Sequence, residues 1–131
     1  MSRIEDWLLS SELDLKAARA SLRENVPNIA CFLSQQAVEK VFKAVILAKA
    51  GKVPKIHALD RLFDQIQPIL PACSVDFEKQ VLFLDKFYIP TRYPDTLPGS
   101  LPEGLPTEDV AEKAIAYATE IVEFIKPFLK S

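Results

Sequence analysis

Histidine, cysteine and glycine are scarce in this chain: one, two and three residues among 131. A single histidine, His57, is too few for an imidazole-based metal centre. The cysteines, Cys31 and Cys73, lack a CxxC spacing and read as buried thiols rather than a disulfide or a metal site. Long hydrophobic runs are missing too. The longest strongly apolar stretch is Ala44-Val45-Ile46-Leu47-Ala48, far short of the roughly 20 residues a membrane span requires. Acidic Glu5 and Asp6 arrive too early for a signal peptide, and no apolar stretch follows them. A cytoplasmic protein is the expectation. No excess of positive charge advertises a global nucleic-acid surface, since the formal net charge is -2. The phosphate-cradling, zinc-protease and nucleophile-elbow motifs are all absent. Paired carboxylates such as Glu12/Asp14 and Glu108/Asp109 sit near helix ends or exposed faces, where capping and solvation explain them.

What is present is helical periodicity. The chain suits one domain, 1–131, and its hydrophobic fraction of 49% is enough for a core. The spacing predicts a first helix over about Ser2 to Glu24. Ser2 and Glu5 form a capping box, and Ile4, Leu8, Leu15, Ala18 and Leu22 line one face. A second helix over about Asn28 to Ala50 follows Pro27, which suits a first turn, and ends at Gly51, which suits a left-handed cap. Its apolar stripe is broad, so it reads as the central helix. A short helix over about Ala58 to Ile69 is closed by Pro68 and Pro71. A fourth spans about Ser74 to Phe87, with Phe77, Val81, Leu84 and Tyr88 on one side. The fifth spans about Glu108 to Leu129 behind a Thr107 cap, with Val110, Ala114, Ala118, Ile121, Ile125 and Phe128 as its stripe. Pro127 is placed to kink or end it. Between the last two helices, about 89–106, five of the ten prolines fall in 17 positions. That density permits neither helix nor strand. The predicted fold is all-α, an up-down four-helix bundle with an additional short helix.

Three features could carry chemistry. The first is a polar strip on the second helix: Gln35, Gln36, Glu39, Lys40 and Lys43. Gln36, Glu39/Lys40 and Lys43 lie about one turn apart. They read either as a solvated face with a Glu39–Lys43 pair or as the polar lining of a groove. The second is a basic bias between Glu39 and Arg61, where Lys40, Lys43, Lys49, Lys52, Lys55 and Arg61 meet only Glu39 and Asp60. Such a patch attracts phosphate. The third is Tyr88 followed by Arg92-Tyr93-Pro94-Asp95. Prolines 90 and 94 stiffen this segment, and arginine's planar fork suits bidentate phosphate or carboxylate contact. An internal Arg92–Asp95 pair is the structural alternative.

In order, the chain carries Trp7, Asp14-Leu15, Ala18, Gln35-Gln36-Ala37-Val38-Glu39-Lys40, Lys43-Ala44, His57-Ala58-Leu59, Leu62, Tyr88 and Arg92-Tyr93-Pro94-Asp95. This set resembles the HEPN domain family over nearly the whole chain. The resemblance implies a dimeric up-down bundle associated with nucleotides or RNA. It also implies a small nucleotidyltransferase as partner, often as a toxin–antitoxin pair, and no cofactor. Tyr88, Arg92, Tyr93, Asp95, Gln36, Glu39, Lys40 and Lys43 are the candidate ligand-binding residues. Other family members are metal-independent ribonucleases in which an arginine is followed a few residues later by a histidine. Here Arg92 matches the arginine, but Leu97, Pro98 and Gly99 stand where the histidine would be. None of them transfers a proton. His57 corresponds to a helix-cap or packing position. The expectation is therefore a binding partner subunit. The alternatives are a ribonuclease with a divergent base, using Asp95, Tyr93 or His57, and a non-catalytic dimeric interaction protein.

Overall fold

The computed structural model describes residues 3–70, 75–88, 98–101 and 104–129. These residues form five helices: α1 (Arg3–Arg23), α2 (Pro27–Ala50), α3 (Leu59–Ile66), α4 (Val75–Asp85) and α5 (Glu108–Leu129). Among the described residues the only strand-like pairing is an isolated bridge between Leu101 and Gly104. The all-α expectation holds. No helix among the described residues is long and apolar enough to cross a membrane.

Local chemistry sets the boundaries. Pro27 opens α2, where its missing N–H leaves no donor unpaired. Gly51, at φ 79°, closes α2 by donating its amide to the Leu47 carbonyl. The Thr107 hydroxyl accepts the Val110 amide at 3.3 Å and caps α5. Pro127 does not end α5, which continues to Leu129. By then the helix has only its frayed last turn left. The expected caps at Ser2 and Ser74, and Cys73, lie outside the described residues.

Side-chain pairs fix the helix directions. Between α1 and α2, Ser11 donates to the Ala37 carbonyl and Lys40 reaches Ser10. Between α4 and α5, Phe77 meets Phe124, Gln80 meets Glu120 and Phe83 meets Tyr117. The rising numbers on one helix against falling numbers on the other make α4 and α5 antiparallel. The three-residue connection turns α1 back along α2. The result is an up-down bundle with α3 packed across α2 and α4.

The core lies around α2. Val38, Val41, Phe42 and Val45 pack against Leu59, Leu62 and Ile66 of α3 and Ile121, Val122 and Ile125 of α5. The rings of Phe42, Phe63, Phe77 and Phe124 form a chain with centroid spacings of 5.3 to 6.4 Å. This chain ties four helices together. Phe128, expected on the buried stripe of α5, is instead 52% exposed. At the helix end it has Phe124 on one side and solvent on the other.

Candidate functional site

Glu39 lies at the centre of the polar strip, and it is buried. Its side chain is 7% exposed, and that of Lys43 is 6%. The solvated-face reading therefore fails for this pair, because α2 is covered on nearly every side. Lys43 Nζ donates to Glu39 Oε2 at 2.8 Å, the i,i+4 pair that the spacing predicts. The same oxygen lies 3.0 Å from His57 Nδ1. Gln35 is fully buried; its amide nitrogen donates to the His57 carbonyl at 3.4 Å and approaches Glu39 Oε1 at 3.5 Å. Gln36, half-buried, donates to Gln35 Oε1 at 2.7 Å. The network thus runs from Gln36 through Gln35 and Glu39 to Lys43 and His57. Burying a carboxylate requires such compensation, since an unpaired charge there would be far costlier.

Lys40 departs from this network. It points to α1, where Nζ donates to Ser10 Oγ at 2.8 Å and lies 2.7 Å from Asp14 Oδ2. That Asp14 oxygen, buried, makes no well-directed hydrogen bond. The contact with Lys40 is thus an ion pair off the favourable hydrogen-bond direction. The strip divides in two: Glu39 and Lys43 face His57 in the connection between α2 and α3, and Lys40 staples α1 to α2.

Of the two roles expected for His57, cap or packing residue, the structure supports packing, through the Tyr88 ring, and gives the cap to another residue. The first amide of α3, that of Leu59, donates to Asp85 Oδ1 at 2.8 Å, so Asp85 on α4 caps this helix. Burial pushes the Asp85 carboxyl above its ordinary value, the Leu59 amide pulls it down, and Asp60 beside it adds to the rise. The His57 side chain is 56% exposed. Its ring lies nearly parallel to Tyr88, 5.7 Å between centroids and 23° between planes. The sequence offered His57 only as a substitute base in the ribonuclease alternative and not among the ligand-binding candidates, although its place in the basic segment was a usable signal. Tyr88 is the one candidate of the third feature among the described residues. Arg92, Tyr93 and Asp95 lie outside them.

The far end of the Pro-rich segment is also tied down. Asn28 Nδ2 donates to the Pro98 carbonyl at 3.0 Å. Gly99, at φ 76°, lies so near α2 that a Cβ there would stand 1.7 Å from the Asn28 carbonyl oxygen. Only glycine meets both demands. A groove of about 510 Å³ lies elsewhere, between the end of α1 and the start of α5. It carries Arg19 and Arg23 together with Glu108 and Glu112 and shares no residue with the Glu39 cluster. With balanced charge and no converging polar network, it is the weaker candidate.

This fold and this cluster define a small helical-bundle protein with a buried polar network opening at one exposed imidazole. The sequence profile of the HEPN domain matches residues 4–128, and the chain belongs to that family. A candidate toxin of Methanocaldococcus jannaschii, MJ1304, is 30% identical over 95% of this chain and 86% of its own length. Two solved structures are each 34% identical with a TM-score of 0.76. One is ST0689, an archaeal HEPN homologue, matched over 99% of this chain and all of that one. The other is TT1696 from Thermus thermophilus, matched over 97% and 98%. A HEPN domain protein of Thermotoga maritima is 25% identical, with a TM-score of 0.71 over 95% and 97% of the two chains.

Proposed function

We propose that this chain is a nucleotide- or RNA-binding HEPN subunit that works in the cytoplasm as a homodimer and partners a small nucleotidyltransferase, in the manner of a toxin–antitoxin pair. The observation that carries the reading is the convergence of Glu39, Lys43, His57 and Tyr88 at one corner of the bundle. The segment bearing Arg92 leaves from Tyr88. Four residues reach at most about 14 Å, so the arginine fork is within chain reach of this corner. The cations Lys49, Lys52, Lys55 and Arg61, all exposed, lie on the flanking stretch of chain. They favour phosphate and raise its local concentration. Similarity to a candidate toxin supports the two-component setting.

In this reading Arg92 grips a phosphate through paired hydrogen bonds, and Tyr88 and Tyr93 offer faces for a base. Asp95 and Gln36 belong to the polar lining. Lys40 and Lys43 act through the carboxylates they neutralise.

The test is an RNA binding and cleavage assay in chelator, with wild type and Arg92→Ala side by side. Binding without cleavage, falling with salt and weakened about tenfold or more by the substitution, is expected. Cleavage that vanishes in Arg92→Ala would replace this reading with a ribonuclease. If wild type neither binds nor cuts, the nucleic-acid reading fails and a purely protein-binding role takes its place. Light scattering should show a dimer at tens of micromolar.

A further inference from the structure

Nδ1 of His57 is committed to Glu39, which leaves Nε2 as the atom the ring presents outward. The side chain is more than half exposed, and among the described residues nothing hydrogen-bonds Nε2. Exposed side chains ordinarily keep their rotamer freedom. This one is held three ways. Glu39 fixes one ring edge, Tyr88 covers one ring face, and the buried Gln35 amide holds the His57 main-chain carbonyl. Glu39 itself cannot swing away, because Lys43 grips the same oxygen in a buried pair. The N-terminus of α3 has its own cap in Asp85, so the fold does not need the imidazole there.

We propose that His57 is a ligand-contacting residue, offering Nε2 to a phosphate oxygen of a bound nucleotide or RNA, with Glu39 as its positioning residue. The inference rests on the nucleotide- or RNA-binding reading above and adds a residue to it. The chemistry follows from the geometry. With Nδ1–H donating to the carboxylate, the neutral ring has its lone pair on Nε2. Once protonated there, it donates a charge-assisted hydrogen bond outward. The carboxylate behind the ring fixes its orientation, and a phosphate oxygen in front accepts that hydrogen bond. Lys43 balances the carboxylate, so the pair adds no net negative charge to repel an anionic ligand.

His57 is the chain's one histidine, so its imidazole resonances are unique in an NMR spectrum. The experiment titrates wild type with 5′-AMP and then with a short single-stranded RNA, following those resonances. Fluorescence anisotropy of labelled RNA supplies an independent affinity. We expect the imidazole signals to move with the same midpoint as the anisotropy. His57→Ala should weaken RNA binding about tenfold and, at so exposed a position, leave the melting temperature nearly unchanged. The double variant Glu39→Leu/Lys43→Met removes the positioning contact without orphaning a charge. It should shift the neutral ring from the Nδ1–H to the Nε2–H tautomer and weaken binding severalfold. RNA binding by anisotropy with unmoved imidazole signals and a neutral His57→Ala overturns this inference but leaves the binding reading intact. No RNA binding by wild type in either measurement overturns both. The wild-type titration decides the matter even if a variant fails to fold.

Discussion

At the scale of single residues, Lys43 and Glu39 show how position decides what a charge does. On α2 lysine recurs at 40 and 43, yet Lys40 is a partly exposed staple and Lys43 a buried counter-ion of Glu39. Removing one partner of a buried pair strands the other, which costs about 3–5 kcal/mol. Replacing both by apolar residues of similar volume is often neutral. Lys43→Met alone should therefore lower stability by about 3–5 kcal/mol in urea unfolding, and adding Glu39→Leu should recover most of it. Comparable stabilities for the single and double variants would mean that the pair is not desolvated in solution. The i,i+4 contact itself was legible from spacing. Its burial was not, because a polar strip on even a central helix reads equally as a solvated face until the connection bearing His57 is laid across it.

At the scale of elements, α3 is held by a residue from another helix. Eight residues make a marginal helix on their own, and the Asp85 cap compensates from α4. The ionised carboxylate is the form that burial disfavours, so its folded pKa lies above the ordinary 3.8. A group raised in this way contributes stability that is fully present below the unfolded value and lost as pH rises through the folded one. Asp85→Asn keeps an oxygen for the Leu59 amide and removes the ionisation. Its stability relative to wild type should be higher at pH 7 than at pH 3, as read from urea midpoints at the two values. An equal difference at both would show that Asp85 is solvated. No pattern around Leu59 foretold this cap, since its donor and acceptor lie 26 residues apart.

At the scale of the whole molecule, the centrality of α2 governs access. Cys31 is fully buried and its thiol is free. Burial pushes its pKa up to about 12, so almost no thiolate exists near neutrality. In a Cys73→Ser background, a thiol reagent at pH 8 should label Cys31 only through unfolding, with a sharp rise in rate past the urea midpoint. Rapid labelling of the native protein would require an opening of α2 that this packing does not allow. The expectation of buried thiols holds for Cys31.

The helices and their ends were readable from the chain because each depends on neighbours within a turn or two. Pro27 and Gly51 bracket α2, Thr107 starts α5, and the apolar spacing of Ala114, Ala118, Ile121 and Ile125 marks the buried side of α5. The family motifs were readable for the same reason, as short blocks in a set order. Only the tertiary structure decided which polar residues went inside and which met. Glu39 finds His57 across 18 residues, and His57 finds Tyr88 across two helices, α3 and α4. Periodicity assigns a residue to a face. What covers that face is set by how whole helices pack, through contacts that no local spacing encodes.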